Sequence, residues 1–221
     1  IVGTTKAEIL ESAAQIVMAG ADVAEWRVDW YKDVDSFEEL RSTAAALREV
    51  LGDLPVLFTF RTASEGGEKS INSQAYAELI QKICETGYVD MVDIELFTGD
   101  EAVKDIITKV HEYGVTVIVS NHDFQETPAT EEIVSRLSKM RQLGADIPKI
   151  AVMPNSKKDV LALLSATETS ASALDCPIIT MSMAEEGVIS RLCGEVFGSA
   201  LTFGTVGKAS APGQIGVDEL R

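Results

Sequence analysis

Two residue types suited to carbonyl chemistry stand in neighbouring segments of the chain. Lys149 lies inside the apolar run Ile147–Met153, which is short and well bounded, so we predict a parallel strand buried on both faces. A lysine there loses much of its hydration, which favours the neutral amine, a nucleophile for carbonyl carbon. His122 follows the apolar run Val115–Ser120 and is suited to proton transfer near neutral pH. Together they indicate imine chemistry.

Each of these residues also has an ordinary structural interpretation. The ammonium of Lys149 can reach water at a strand mouth or pair with Glu95. His122 can be a turn residue whose imidazole caps backbone groups. The second histidine, His111, stands at the polar end of a predicted helix and is expected at the surface. Position alone leaves these alternatives open, and the pairing of Lys149 with His122 favours catalysis.

Further polar residues lie along predicted strands or just after them. Period-two spacing sends alternate side chains of a strand to one face. Because inward-facing residues near the carboxyl ends of barrel strands build active sites, we expect these polar side chains to meet at one site. For the arginines, pairing with nearby acids is the ordinary alternative. The residues concerned are Glu25, Arg27, Arg61, Asp93, Glu95, Ser210 and Gln214.

Arg191 and Glu65 belong to segments of different character. Arg191 stands in the first turns of a predicted helix, where the backbone favours anions and a guanidinium can bind a carboxylate with two donors. Glu65 lies in a Gly-rich loop, where acids are usually just solvated. The loop Lys208–Gln214 is rich in Gly, Pro and Ser, and is either a lid or a simple connection.

Apolar, β-branched runs alternate with amphipathic stretches along the whole chain, which predicts parallel strands with helical crossovers. The predicted strands are Ile1–Gly3, Val23–Trp30, Val56–Arg61, Met91–Leu96, Val115–Ser120, Ile147–Met153, Pro177–Met183 and Ala200–Val206. The predicted helices are Lys6–Ala19, Ser36–Leu51, Asn72–Thr86, Glu101–Tyr113, Thr130–Leu143, Ser156–Ser170 and Val188–Phe197, and Val217–Arg221 resembles the first turn of another.

Eight such units predict an α/β fold of the (β/α)8 TIM-barrel type, with residues 1–221 forming one catalytic domain. A doubly wound open sheet is the main alternative, but the turn after the first strand is only Gly3-Thr4-Thr5, without a Gly-rich phosphate loop. The remnant strand at Ile1–Gly3 and the helical turn at Val217–Arg221 suggest that both termini are truncated.

Composition excludes several classes of protein. The net charge is −16, from 19 basic and 35 acidic residues, which argues against nucleic acid and anionic membrane partners. Hydrophobic residues make up 46%, enough for a sizeable core. The three cysteines, Cys84, Cys176 and Cys193, form no disulfide or zinc pattern, so we expect reduced thiols and a cytoplasmic location.

Six short segments together resemble the type I 3-dehydroquinate dehydratase family of the shikimate pathway. Each alone is weak, but their common order along essentially the whole chain is specific. They are Glu25-Trp26-Arg27-Val28-Asp29, Phe58-Thr59-Phe60-Arg61, Ser120-Asn121-His122-Asp123-Phe124, Pro148–Pro154, Gly187-Val188-Ile189-Ser190-Arg191 and Ser210-Ala211-Pro212-Gly213-Gln214.

The resemblance implies a (β/α)8 barrel that is usually a homodimer, needs no metal or organic cofactor, and binds 3-dehydroquinate. It implies Schiff-base-mediated syn-dehydration of that substrate to 3-dehydroshikimate, for aromatic amino acid and chorismate biosynthesis. Lys149 would form the Schiff base, His122 would donate and accept the proton, and Glu65 or a neighbouring acid would help to position His122. The substrate would be held by Arg191 at its carboxylate and by Glu25, Arg27, Arg61, Ser210 and Gln214.

Two other functions stay open at this point. A class I Schiff-base aldolase acting on a phosphorylated sugar would use the same lysine and fold, and Gly204, Gly207 and Gly213 make a phosphate site conceivable. A non-catalytic barrel that binds a small acid would need the same pocket. It would not need a desolvated lysine beside a histidine.

Overall fold

The computed structural model describes residues 1–207 and 211–220. Residue contacts divide the chain into two compact units, residues 1–117 and 118–221. In each unit helices alternate with parallel strands, which confirms the predicted α/β class. No helix in the described part of the chain has the length and hydropathy needed to cross a membrane.

The first unit holds three strands, in which β2 pairs with both β1 and β3 in parallel. A short 3-10 turn follows each strand or lies close behind it, at Val28–Trp30, Ala63–Glu65 and Leu96–Thr98. The elements are α1 (Lys6–Ala19), β1 (Ala24–Arg27), α2 (Phe37–Leu51), β2 (Val56–Thr59), α3 (Ser73–Glu85), β3 (Met91–Glu95) and α4 (Asp100–Glu112).

The second unit repeats the pattern, with β5 pairing in parallel with both β4 and β6. Strand β4 begins two residues before the unit boundary. The elements are β4 (Thr116–Asp123), α5 (Thr130–Leu143), β5 (Ile147–Val152), α6 (Lys157–Ala173), β6 (Ile179–Ser182), α7 (Val188–Leu192), a 3-10 turn (Gly194–Phe197) and α8 (Val217–Leu220).

Local sequence explains where the elements begin and end. The side chain of Thr5 accepts a hydrogen bond from Glu8 N at the start of α1, and Gly20 ends that helix in the left-handed conformation. Every residue of β2, β5 and β6 is buried, as expected for strands covered on both faces. The prediction of a doubly buried strand around Lys149 is therefore confirmed.

Three predicted elements differ from the structure. Ala200–Val206 is not a strand: its backbone makes only isolated pairings, one of them between Thr205 and Gly216. Ile1–Gly3 is not one either, although Ile1 O accepts from Arg27 N beside β1. The helix predicted over Val188–Phe197 ends at Leu192, since Cys193 departs from helical geometry before a 3-10 turn.

Six strands are therefore found in residues 1–207 and 211–220, where eight were predicted. The closed eight-stranded barrel and the single domain over residues 1–221 stay predictions. Strand β4 is longer than predicted and extends to Asp123, so His122 lies within the strand instead of following it.

Candidate active site

One face of the second unit brings the two predicted chemical residues together. Lys149 on β5 pairs in register with Ser120 on β4, and His122 pairs with Ala151. Because in-register residues of parallel strands share a face, Lys149 and His122 point to the same side. Strands about 4.8 Å apart with a rise of about 3.3 Å per residue place their Cα atoms ~8 Å apart. Both side chains can reach one small molecule.

The Lys149 side chain is buried, with 3% of its surface exposed. The interpretation of a lysine that reaches water at a strand mouth is therefore wrong. Its Nζ lies 4.4 Å from the centroid of the Phe203 ring, within the range of a cation–π contact. Ser120 and Ile179, the in-register neighbours on the two adjacent strands, are uncharged and fully buried.

The segment that carries His122 is held from its opposite face. Arg136 of α5 donates to Asn121 Oδ1 at 2.9 Å and forms an ion pair with Asp123 Oδ2 at 3.8 Å. Asp123 Oδ1 also accepts from the backbone N–H groups of Gln125 and Glu126, so Asp123 caps the turn after β4. His122 is half-buried, while His111 is exposed as predicted. These contacts hold the backbone on both sides of His122. Because side chains alternate along a strand, the imidazole of His122 points to the other face, which is the face of Lys149.

Arg191 is a buried guanidinium attached to the same unit. Its Nη1 donates to Phe203 O at 3.2 Å and lies 3.6 Å from Met181 Sδ, and its Nη2 lies 3.5 Å from Pro212 O. Among the residues that the structure describes, Arg191 Nε has no hydrogen-bond partner. Burial lowers the pKa of Arg191. A buried cation with an unused donor is suited to binding an anion.

The loop before Gln214 packs against a strained backbone position. Ala184 adopts the left-handed conformation with φ 55, rare for a residue with a side chain. Gly213 has φ +73, and a Cβ at that position would collide with the carbonyl oxygen of Ala184. This close approach fixes the position of the residues on both sides of Gly213. Ser210, predicted to bind substrate, lies outside the described residues.

In the first unit, Arg27 forms an ion pair with the nearby carboxylate of Asp29, which confirms the ordinary interpretation of this arginine. Arg27 Nε donates to Asp29 Oδ1 and Nη2 donates to Asp29 Oδ2, both at 2.8 Å. Asp29 is fully buried and also accepts from the backbone of Arg61 and Glu68. The two-residue spacing was visible in the sequence, but the 3-10 turn that brings the carboxylate back to Arg27 was not.

Arg61 is the centre of a buried acid network. Its guanidinium donates to Asp93 Oδ1 at 2.7 Å and to Glu95 Oε1 at 3.0 Å, and Glu65 Oε2 lies 3.7 Å away. Burial by itself lowers the pKa of Arg61, but the coulombic fields of Asp93, Glu95 and Glu65 raise it more, so the net pKa is above the usual value. The ordinary interpretation of Arg61 as an ion-pair partner is confirmed.

Two acids predicted for the site also have defined surroundings. Glu65 lies in a 3-10 turn and is 6% exposed, so the expectation of a solvated loop acid is wrong. Glu25 is half-buried on β1 and accepts from Thr59 Oγ1 at 2.9 Å. Glu95 also accepts from the backbone N–H and hydroxyl of Thr62. Carboxylates that are held in this way present fixed acceptor positions.

The described residues contain no group of three or more His, Cys, Asp or Glu side chains that could hold a metal ion. The chemistry visible in the two units is that of amine, imidazole, guanidinium and carboxylate groups. Buried charged residues on parallel strands of this kind define an enzyme-like α/β protein with an amine-based site.

Comparison with known proteins gives the family. The sequence matches type I 3-dehydroquinase over residues 1–221. The 3-dehydroquinate dehydratase of Bacillus licheniformis is 54% identical over 222 residues, covering 100% of this chain and 87% of the relative. That of Salmonella typhimurium is 54% identical over 222 residues, covering 100% of this chain and 88% of the relative. The chain belongs to the type I 3-dehydroquinase family.

Solved structures agree with the sequence comparison. The type I 3-dehydroquinate dehydratase of Clostridium difficile, solved with covalent modified comenic acid, has a TM-score of 0.97 and 52% identity over 100% of this chain and 87% of its own. The 3-dehydroquinate dehydratase of Geobacillus kaustophilus has a TM-score of 0.98 and 40% identity, with coverage of 100% and 86%.

Proposed function

We propose that this chain dehydrates 3-dehydroquinate to 3-dehydroshikimate through a Schiff base on Lys149. The activity is that of a hydro-lyase of the shikimate pathway, which leads to aromatic amino acids. It follows from membership of the type I 3-dehydroquinase family and from curated relatives at 54% identity over the whole chain. The observation that carries the proposed chemistry is the buried Lys149 on the same sheet face as His122.

The reaction begins with addition of Lys149 Nζ to the ring ketone, and loss of water gives an iminium ion. The iminium is an electron sink that acidifies the adjacent C–H bond. His122 removes that proton and leaves a neutral enamine. The enamine expels the neighbouring hydroxyl, to which His122 returns the same proton, and water then releases the product. One imidazole serves both steps if proton and hydroxyl leave from the same ring face.

The surrounding cations and acids position the substrate. Arg191 binds the carboxylate, for which it has an unused, buried Nε. The hydroxyl groups are held by Glu25, Arg27, Arg61, Ser210 and Gln214, and Glu65 orients His122. The Clostridium difficile relative was solved with covalent modified comenic acid, which supports covalent chemistry in this family.

Reductive trapping tests the proposal. Borohydride added with 3-dehydroquinate should reduce the iminium to a stable secondary amine, and peptide mass spectrometry should place the adduct on Lys149. Lys149→Ala should give no adduct and no enone absorbance. Lys157→Ala changes an exposed lysine in the first turn of α6 and is the matched control. An adduct on any other lysine would overturn the assignment.

We also propose that residues 1–221 form one (β/α)8 domain, that the protein is a homodimer and that it works in the cytoplasm. The high TM-scores over the full chain support the barrel, and three isolated cysteines are typical of reducing compartments. The resemblance to the family supports the dimer, which light scattering on the purified protein tests directly. No organic or metal cofactor enters the proposed steps, so treatment with EDTA should leave turnover unchanged.

A further inference from the structure

The aromatic ring of Phe203 faces the amine of Lys149. The distance from Lys149 Nζ to the ring centroid is 4.4 Å, well inside the roughly 6 Å limit for a cation over a ring face. Phe203 lies in the segment after α7 that was predicted to be a strand, where an aromatic residue indicates ordinary core packing. The structure instead places it at the nitrogen where the proposed covalent bond forms.

The same residue is fixed in place by its backbone. Phe203 O accepts a hydrogen bond from Arg191 Nη1 at 3.2 Å, and Arg191 is buried in α7. That helix is attached to β6, because Ser190 Oγ accepts from Ser182 N at 2.8 Å. The ring is therefore held by contacts that do not depend on its own chemistry, and changes to the ring leave these backbone contacts available.

The proposed reaction creates a positive charge at this nitrogen. The lone pair of Lys149 Nζ forms the bond to the ketone carbon, and the ketone oxygen takes one proton from the nitrogen and one from an acid. That oxygen leaves as water, and the product is a C=N double bond whose nitrogen keeps one hydrogen and a full positive charge. The preceding carbinolamine and the following enamine are both neutral, so a group that favours a cation here favours the iminium over both.

We propose that the ring of Phe203 stabilises this iminium ion and is a further catalytic residue. The proposal rests on the function proposed above, since the cation exists only if Lys149 is the nucleophile. The negative face of the ring quadrupole attracts a cation but accepts no proton. A ring can therefore remain beside the nitrogen through every protonation state of the reaction, and the burial of Lys149 strengthens the attraction.

Ring fluorination separates this role from packing. Phenylalanines carrying one, two and three fluorines keep the shape of the ring but weaken its negative face in steps. With each fluorine, kcat and the fraction of enzyme trapped as iminium by borohydride should both fall. Phe203→Leu, which removes the quadrupole altogether, should lower kcat about thirtyfold, equivalent to about 2 kcal/mol at 1.36 kcal/mol per tenfold.

Phe37 provides the matched control, because its ring faces Lys82 Nζ at 5.9 Å in the other unit. The same fluorinated residues at Phe37 should leave kcat and trapping unchanged. A flat fluorine series at Phe203, or a rise in KM with unchanged kcat, would overturn the proposal, since the ring would then act through packing or through Arg191. Wild-type protein that gives no adduct on Lys149 would instead refute the proposed function itself. The fluorinated series keeps the test decisive if Phe203→Leu does not fold.

Discussion

Arg27 and Asp29 form a buried ion pair with two parallel hydrogen bonds across the end of strand β1. The pair occupies two donors of Arg27 and holds Asp29 where it also accepts from the backbone of Arg61 and Glu68. Asp29 therefore connects three segments of the first unit. A residue that sequence reasoning passed over is a structural centre of this unit.

Removal of this carboxylate should destabilise the fold. Asp29→Ala leaves the Arg27 guanidinium buried without its counter-charge, which costs about 3–5 kcal/mol in the free energy of unfolding. Urea denaturation monitored by circular dichroism measures the change. Asp33→Ala is the control, because that acid is only partly buried and its ion pair with Lys32 spans 3.9 Å. Equal stabilities of the two variants would show that Asp29 contributes no more than a surface acid.

Substitution of His122 should separate imine formation from proton transfer. His122→Gln removes the general acid/base, so kcat should fall by about 10²–10⁴-fold. Borohydride should still trap an adduct on Lys149, because the amine that attacks the ketone is intact. His111→Gln changes an exposed residue of α4 and should turn over at the wild-type rate. Loss of the trapped adduct together with kcat would assign His122 to the addition step instead.

Arg191→Ala should act mainly on substrate binding. Hydrogen bonds to charged groups contribute about 1.5–3 kcal/mol each, so the loss of one or two predicts a KM increased about a hundredfold. Arg191→Lys keeps the charge but loses the planar pair of donors, so its KM should lie between that of the wild type and that of Arg191→Ala. Steady-state kinetics with the enone absorbance as signal checks both values. Unchanged KM in the alanine variant would place the substrate carboxylate elsewhere.

Gly213→Ala should disturb the loop that carries Gln214. The added Cβ would collide with Ala184 O, and φ +73 is strained for alanine, at a cost on the order of 1–3 kcal/mol. We expect a KM raised about tenfold or more, together with an unfolding midpoint lowered by an amount that matches this cost. Gly216→Ala is the control, since a Cβ there meets nothing within 4 Å. Similar kinetics for both variants would mean that the contact with Ala184 does not position the loop.

Sequence patterns located some elements to the residue. Helices Lys6–Ala19 and Thr130–Leu143 have the predicted bounds, because apolar periodicity and a terminal glycine mark their ends. Strand ends were less accurate. The apolar run that begins with β1 continues into a 3-10 turn at Val28–Trp30, and periodicity does not distinguish the two. The segment Ala200–Val206 is apolar in composition, yet it forms single pairings only.

The residues of the candidate site likewise fall into those that the sequence predicts and those that it does not. Lys149 was predicted because a charged group in an apolar run is conspicuous in a sequence, His122 because it follows a neighbouring apolar run, and Arg191 because it stands in the first turns of a predicted helix. Asp29 and Phe203 were missed, since an acid next to an arginine and an aromatic in an apolar run each have common structural roles. Their importance depends on a turn and on a contact between distant segments, and neither has a signature in the order of residues.

The unused Nε of Arg191 has a consequence for recognition. This guanidinium is 4% exposed, so it lost most of its hydration when the chain folded, and an arriving anion has to shed mainly its own. Arg191 should therefore select anions that lose water easily and that fit the planar edge of its donors. Arg191 should therefore bind carboxylates, whose charge is spread over two oxygens, in preference to compact and more strongly hydrated ions such as fluoride. This preference should not depend on the rest of the ligand.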